Sequence, residues 1–357
     1  MQTLKAGIIG CGVIGPVHAE SLRKAEGVEL LWACDLVEEK ARKMAEMYRI
    51  PNVATDFKKV LADRNVDFVT VCTDHASHVP ITVAAIKKGK HVLCEKALAV
   101  STKGLNSMMA AHAKRPDVIF GGVFQHRFDT LQLRIRELIK QGVLGRILTG
   151  AMQIRCLRTD EYYLGDAWRG TWEQEGGAVL INQAIHYIDN LAWLMGGAEA
   201  VCGTYANLTH GDSIDTEDTA TAALRFKNGA LGIIEATASS HIKWEFTVGI
   251  HGTLGSVEVR NDKVMKVDLA DSSKEAEIQS DLERCQNAPP LKIGKQYYGG
   301  GHVAQLADFV QAVRENRQPT ITAFSARHAV DIVLGIYESS RKGKWITLPP
   351  ADPSLAV

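Results

Sequence analysis

The stretch AGIIGCGVIGPVHAESL, residues 6–22, decides how the first third of this chain is read. An apolar run ends at Gly10, and Gly10-Cys11-Gly12-Val13-Ile14-Gly15 has the spacing G-x-G-x-x-G before a helix opens. In a dinucleotide site the first glycine permits the tight turn, the second lets a pyrophosphate approach the backbone, and the third lets helix and strand pack closely. The helix start then offers its N–H groups to phosphate. Such a motif is weak alone; here a strand precedes it, a helix follows, and it heads a strand–helix series. The next apolar run, VELLWACD, ends in Asp35, where the motif places the acid that binds the adenosine ribose. Leu36 and Val37 follow, with no arginine for a 2′-phosphate, so NAD is expected over NADP. The competing reading is a glycine turn without ligand and a solvated Asp35, which leaves the complete strand–turn–helix context unexplained.

Outward from this motif, the runs VDFVTVCT, KHVLCEKA and DVIFGGVF alternate with helical segments such as VEEKARKMAEMY. Alternation of this kind predicts parallel pairing in a doubly wound sheet. The texture changes near residues 121–123. We expect an α/β chain of two domains: a Rossmann dinucleotide-binding domain over 1–122, and a substrate-binding and oligomerisation domain over 123–357. In the second, EDTATAALRFKNGALGIIEATAS reads as a hairpin about Asn228-Gly229, FTVGIHGTLGSVEV repeats the theme, and the tail returns to helix. These strands predict an antiparallel sheet with one covered face. The polar segment around 268–296 is expected to be a loop or an excursion from the sheet.

The 357 residues exceed what one small core needs, and 46% hydrophobic with 23% charged residues is ordinary for a soluble enzyme. Lys+Arg and Asp+Glu both number 41, which gives no electrostatic footprint for nucleic acid or an anionic membrane. No apolar run is long enough for a membrane helix, and the N-terminus lacks the features of a secretory leader. Seven scattered cysteines suit reduced thiols, so a cytoplasmic location is expected.

Two further stretches carry candidate chemistry. KGKHVLCEKALAV, residues 88–100, reads as a buried strand with Glu95 and Lys96 at its end. Ligands sit beyond the carboxyl ends of such strands. A lysine there stands near the nicotinamide, and partial burial lowers its pKa toward the range useful for proton transfer; a lysine that snorkels to the surface is the alternative. By the same rule Thr73 and His78, in VCTDHASH, are candidate cofactor contacts. His75 and His78 form an H-x-x-H pair without a third ligand at suggestive spacing, so no metal is expected. The second stretch is EGGAVLINQAIHYIDNLAWLMGG, residues 175–197. Asn182, His186 and Asp189 share one face of an otherwise apolar helix. Buried polar groups need partners, so the stripe reads as the wall of a polar pocket, or else as a satisfied core histidine.

Taken in order, GIIGCGVIG, CEKALA, GGAVLINQAIHYID, EDTATAALRFKNGALG, HGTLGSVEV and the helical tail resemble the Gfo/Idh/MocA family of sugar and inositol oxidoreductases, essentially end to end. The resemblance implies a Rossmann domain followed by an α/β domain with a large open antiparallel sheet, whose outer face commonly mediates homodimers or homotetramers. It implies that Lys96, in the place of the family's E-K-P lysine, is catalytic, with Glu95 beside the cofactor. Ala97 stands where the family usually has proline. His186 matches the histidine of the family's Asp-x-x-x-His pair, while Asn182 stands in the aspartate position. INQAIHYID is similar to the subgroup that includes UDP-N-acetylglucosaminuronate 3-dehydrogenases, which points to a pyranose oxidised at carbon 3.

The resulting expectation is a sugar or polyol whose secondary hydroxyl gives its proton to Lys96 or His186 while hydride passes to NAD. Gln125 is expected near the cofactor, and Arg127, Tyr163, Trp168, Arg169, Asn182 and His186 near the substrate. His302 follows a glycine run that would let it reach the same pocket. Three alternatives remain: an inositol dehydrogenase, an enzyme that cleaves glycosides through transient oxidation by bound NAD, and a nucleotide-binding regulatory protein without catalysis.

Overall fold

The computed structural model describes residues 3–287 and 300–357. They fall into two compact units. One holds the described residues through Phe128 together with Gly300 to Arg327; the other holds Asp129 to Asn287 and His328 to Val357. The chain thus returns to the first unit after leaving it, a feature that a single division at 122/123 does not contain. No helix among the described residues is long and apolar enough to cross a membrane.

In the first unit, β1 (Leu4–Ile9), β2 (Val28–Cys34), β3 (Asn52–Ala54), β4 (Phe68–Val71), β5 (His91–Cys94) and β6 (Phe120–Gly122) form one sheet in the order β3-β2-β1-β4-β5-β6. Every pairing in it is parallel. Helices α1 (Gly15–Lys24), α2 (Glu38–Tyr48), α3 (Phe57–Ala62), α4 (His75–Lys87) and α5 (Thr102–Ala113) make the crossovers. This is the doubly wound order, with its switch point between β1 and β4. Because β1, β4 and β5 are neighbours, the turns after them, bearing Gly10, Thr73 and Lys96, emerge side by side at one sheet edge. The strands are buried on both faces, which accounts for their near-continuous apolar runs. Ile8, Phe68 and Leu93 pack with Leu306 and Phe309 of a later helix, and the Phe68 and Phe309 rings meet edge to face at 5.7 Å.

The second unit is built on an eight-stranded sheet. Its strands are β7 (Ile147–Leu157), β8 (Ala198–Ala206), β9 (Thr219–Phe226), β10 (Leu231–Thr237), β11 (Ser239–Gly252), β12 (Gly255–Arg260), β13 (Lys263–Leu269) and β14 (Ile346–Thr347). The order is β13-β12-β11-β7-β10-β9-β8-β14, antiparallel except where β10 lies parallel to β7. The hairpin about Asn228-Gly229 is present, with Leu231 opposite Arg225 and Gly229 at φ 83°. Strands such as β9 and β10 alternate buried and exposed residues, as a sheet with one covered face requires. The remaining helices are α6 (Thr130–Lys140), α7 (Asp160–Leu164), α8 (Ile185–Leu194), α9 (Ser272–Gln286), α10 (Gly301–Glu315) and α11 (Ala323–Lys342). Of these, α10 belongs to the first unit, and the division between units falls within α11.

Two expectations are corrected. The segment 268–296 is not a loop throughout: β13 runs to Leu269 and α9 occupies Ser272–Gln286, its start capped by Asp271 accepting from Ser273 N; residues 288–296 lie outside those described. A polar helix with only Ile278 and Leu282 buried presents little of the apolar stripe by which helices are recognised. The helix carrying Asn182 is not α-helical from its start. Val179–Ala184 is π-helical and α8 begins at Ile185. Single π turns inside helices recur at functional sites.

Candidate active site

In the first unit the glycine turn has the form its sequence predicts. Gly10 has φ 101°, and a Cβ there would lie 2.4 Å from the Cys72 backbone. A Cβ on Gly15 would lie 2.4 Å from the Gly10 carbonyl oxygen, whereas one on Gly12 would meet nothing within 4 Å. The first and third glycines are therefore packing requirements, and the second faces open space where a pyrophosphate can approach. No side chain caps the start of α1 at Ile14; Pro16 has no N–H and Val17 N is bonded to the Ile14 carbonyl, so an anion would be met by the N–H groups ahead of Pro16. Val13 is exposed. The Asp35 carboxylate accepts from Cys11 N at 2.8 Å and from Val37 N at 2.9 Å, which ties the glycine turn to the end of β2. Each of its oxygens keeps a second lone pair for a ribose hydroxyl. The residues present fit a dinucleotide.

The turn after β5 is the second component. Lys96 alone is not buried between Val92 and Ala99, and its peptide bond to Ala97 is cis. Three histidines hold this turn. His78, a candidate cofactor contact from sequence, is fully buried; its Nδ1 lies 2.7 Å from the Ala97 carbonyl and its Nε2 3.2 Å from that of Thr73. Burial drives its pKa below the ordinary value against the pull of these carbonyls. A neutral imidazole has one N–H, and the shorter contact makes Nδ1 the donor to the Ala97 carbonyl, so His78 anchors the turn from behind. His18 of α1 and His302 of α10 face Glu95. His18 Nε2 is 2.9 Å and His302 Nε2 3.8 Å from Glu95 Oε1, while Oε2 accepts from Lys96 N at 3.1 Å. Burial alone would raise the Glu95 pKa, but the two imidazoles outweigh it and hold the carboxyl well below its usual range. His302 is buried, and desolvation lowers its pKa despite Glu95. The ligand atoms of His18, Glu95 and His302 lie within 4.8 Å of one another, the one such group among the described residues. The shortest separation is that of an ordinary hydrogen bond, so an ion is not needed to explain the cluster.

Thr73 is half-buried, its hydroxyl donating to the Asp74 carbonyl at 3.2 Å. Gln125 and Arg127 lie in a 3-10 turn and are buried. The Arg127 guanidinium donates to Ser325 Oγ at 2.7 Å, a bond within the first unit that the sequence does not suggest.

In the second unit, every residue from Glu175 to Ala198 is buried except Asn182 and His186. The polar stripe thus narrows to these two; Asp189 lies in the core at 1% exposure. Asn182 Nδ2 donates to Glu175 Oε1, and the other Glu175 oxygen accepts from Gly170 N. Arg169 stacks on Tyr162 at 4.3 Å and faces Trp168 at 5.1 Å. Its Nε donates to Asp166 at 2.9 Å and its Nη1 to the Tyr162 hydroxyl. Burial works against the Arg169 charge, but Tyr162, Asp166 and Glu175 together raise its pKa. Tyr163 is 2% exposed and packs with Ala178 and Ile214, while its neighbour Tyr162 borders this polar group and accepts from Gln183 Nε2 at 3.1 Å.

The strained start of this helix has its own support. Gly177 has φ 140°, and a Cβ there would lie 2.0 Å from the Tyr337 hydroxyl oxygen. Glu217, fully buried, accepts from Ala178 N at 3.0 Å, Leu180 N at 2.9 Å and the Tyr337 hydroxyl at 2.8 Å. Desolvation pushes its pKa up to about 7 in spite of those donors. Neither Glu175 nor Glu217 stands out in the sequence; only the glycine pair at 176–177 hints that the backbone beside them is unusual.

Known family models match the chain in two consecutive stretches. The oxidoreductase family's NAD-binding Rossmann fold matches residues 4–122, and its C-terminal alpha/beta domain matches residues 136–348. The chain belongs to the Gfo/Idh/MocA oxidoreductase family. It is an NAD-binding oxidoreductase, with the Rossmann sheet and the large, mostly antiparallel sheet described above. It is 26% identical to the myo-inositol 2-dehydrogenase of Thermotoga maritima, covering 92% of this chain and 93% of that one. It is 25% identical to the levoglucosan dehydrogenase of Pseudarthrobacter phenanthrenivorans, covering 98% and 99%. Among solved structures, the WlbA dehydrogenase from Bordetella pertussis, in complex with NADH and UDP-GlcNAcA, superposes with a TM-score of 0.87 at 27% identity, covering 98% of this chain and 99% of that one.

Proposed function

We propose that this enzyme oxidises a secondary hydroxyl of a pyranose sugar or sugar derivative, at carbon 3, in the cytoplasm. The observation that carries the reading is a set of three accessible polar residues in otherwise buried stretches: Lys96 after β5, Asn182 in the π turn and His186 at the start of α8. Family membership supplies the chemistry, and likeness to a dehydrogenase bound to NADH and UDP-GlcNAcA favours a pyranose. In this reading the glycine turn and Asp35 hold NAD, with Thr73 and Gln125 lining its nicotinamide side. When bound, NAD accepts hydride from the carbon that bears the hydroxyl. Lys96 or His186 takes the hydroxyl proton, the other orients the oxygen, and Asn182 hydrogen-bonds a neighbouring hydroxyl. The stacked Trp168, Arg169 and Tyr162 offer an aromatic and cationic edge to the ring, and Arg127 supports its side of the site. All seven cysteines are free thiols, in keeping with a reducing compartment. The exposed Leu231 and Ile233 on the outer face of β10 support assembly into a homodimer or homotetramer through that face.

The myo-inositol 2-dehydrogenase relative favours a second reading, in which the substrate is a ring polyol with the same array of secondary hydroxyls. One experiment tests both. Reduction of NAD is followed at its absorbance over a panel of hexoses, nucleotide-sugars and inositols, with NADP in parallel. Turnover should be lost in Lys96→Ala and His186→Ala while NADH affinity is kept. Near-normal turnover in both variants, or reduction of NAD by no panel member, would sink the reading.

A further inference from the structure

Asn182 is a side chain with two faces, one donor and one acceptor, and its orientation decides what it offers a substrate. We propose that Glu175 is a positioning residue that fixes this amide with its carbonyl oxygen toward the substrate, making the site select a ring that donates a hydroxyl proton there. The inference rests on the reading of Asn182 as a substrate-facing residue. Glu175 is 1% exposed, and as a carboxylate it can only accept. Two donors converge on it, Asn182 Nδ2 on Oε1 and Gly170 N on Oε2. The amide must therefore turn its NH2 inward, which turns Oδ1 away from the carboxylate. Charge-assisted bonds of this kind are the strong ones, and a buried carboxylate that lost one would bear the full desolvation penalty. Gly170 is itself held at φ 64°, with Ile214 occupying the place of a Cβ, so the second donor cannot shift to release Glu175.

A glutamine side chain at position 175 has one acceptor oxygen for two donors. If that oxygen stays with Gly170 N, its NH2 faces Asn182, whose amide must flip and present a donor to the substrate. An aspartate side chain at position 182 alone sets two carboxylates at hydrogen-bonding distance, and like charges so close cannot both stay ionised without displacement. Together the changes are compatible: the new amide donates to the new carboxylate, whose other oxygen again faces outward.

The test is a cycle of Glu175→Gln, Asn182→Asp and the double variant, read by steady-state kinetics on the best panel substrate, NADH fluorescence titration and thermal unfolding. Each single variant should lose about ten- to a hundredfold in kcat/KM, the range for a charge-assisted hydrogen bond, with NADH affinity unchanged. The double variant should recover to within about threefold of the parent, as coupled neighbours do in such cycles. Single variants near the parental rate would overturn the proposal. So would a double variant that regains its melting temperature but not its rate, because a merely structural pair behaves that way. If Glu175→Gln does not fold, Asn182→Asp against the double variant carries the same comparison. Should no sugar or polyol reduce NAD with the parent enzyme, the dehydrogenase reading fails on its own. The melting shifts still test the premise of a fixed amide, since additive shifts would show that Glu175 and Asn182 are not paired and overturn the proposal.

Discussion

Replacing Glu95 by glutamine removes one negative charge from the first unit while keeping the side chain's shape. Glu95 is 5% exposed and receives His18 at 2.9 Å, His302 at 3.8 Å and the Lys96 N–H at 3.1 Å. Two effects oppose one another. A neutral amide is cheaper to bury than a carboxylate, which favours the variant. The imidazoles and the backbone donor favour the anion. The direction of the shift decides between them: the pKa lies well below its ordinary 4.5, so in the fold the charged form is the favoured one and neutralising it costs stability. Glutamine keeps a single acceptor, so either the Lys96 N–H or the His18 ring faces an NH2 group. The loss of one charge-assisted bond comes to about 2 kcal/mol, and at roughly 2–4 °C per kcal/mol the melting temperature should fall by about 4–8 °C near pH 7.5. The sign with pH follows from linkage. A depressed carboxyl contributes above the unfolded value of 4.5 and loses that contribution as pH falls toward its folded pKa. The gap between parent and Glu95→Gln, followed by differential scanning fluorimetry from pH 8 downward, should therefore stay level to about pH 4.5 and narrow below it. An unchanged melting temperature at pH 7.5, or a gap that widens as pH falls, would show that the imidazoles do not hold Glu95 as an anion.

Other outcomes follow from the same coordinates. Gly10→Ala sets a Cβ 2.4 Å from the Cys72 backbone at φ 101°, and NADH fluorescence titration should show at least a tenfold loss of affinity, about 1.4 kcal/mol. Gly177→Ala drives a Cβ into the Tyr337 hydroxyl and should destabilise the fold by about 1–3 kcal/mol for the backbone strain alone, read as a lower melting temperature, with NADH binding kept. His78 and His302 both have pKa values below the ordinary 6.5 through burial. The unfolded chain then binds more protons below that value, so stability is full above pH 6.5 and declines as pH falls from there, which urea unfolding at pH 7.5 and 5.5 will measure.

How much of this is legible in the sequence depends on where each signal lies in the chain. The glycine turn, Asp35 and the parallel strand order can be read because strand, turn and helix are contiguous and each glycine answers a local steric demand. The hairpin about Asn228-Gly229 is local in the same way. Strand β3 escapes such a reading because three residues at a sheet edge carry no period, and α9 because its surface is polar nearly all round. The π turn stands where an α-helix is expected because apolar spacing alone does not separate the two. His18 and Glu95 are 77 positions apart, and only the sheet order brings them together.

The candidate site shows why some of its members announce themselves and others do not. Lys96, Asn182 and His186 interrupt apolar runs, and a polar group inside a buried stretch demands a reason, since burial without partners costs free energy. Glu175 and Glu217 lie in polar surroundings of the sequence, where a carboxylate demands none. Their demand appears only in three dimensions, where each is buried and each collects donors from backbone that glycines have bent. In the function proposed above, the anomalous residues are the ones that handle the substrate. If Glu175 positions the Asn182 amide as proposed, and Glu217 holds the start of the helix through Ala178 N and Leu180 N, the next selectivity-altering substitutions belong at 175 and 217 rather than at the exposed rim.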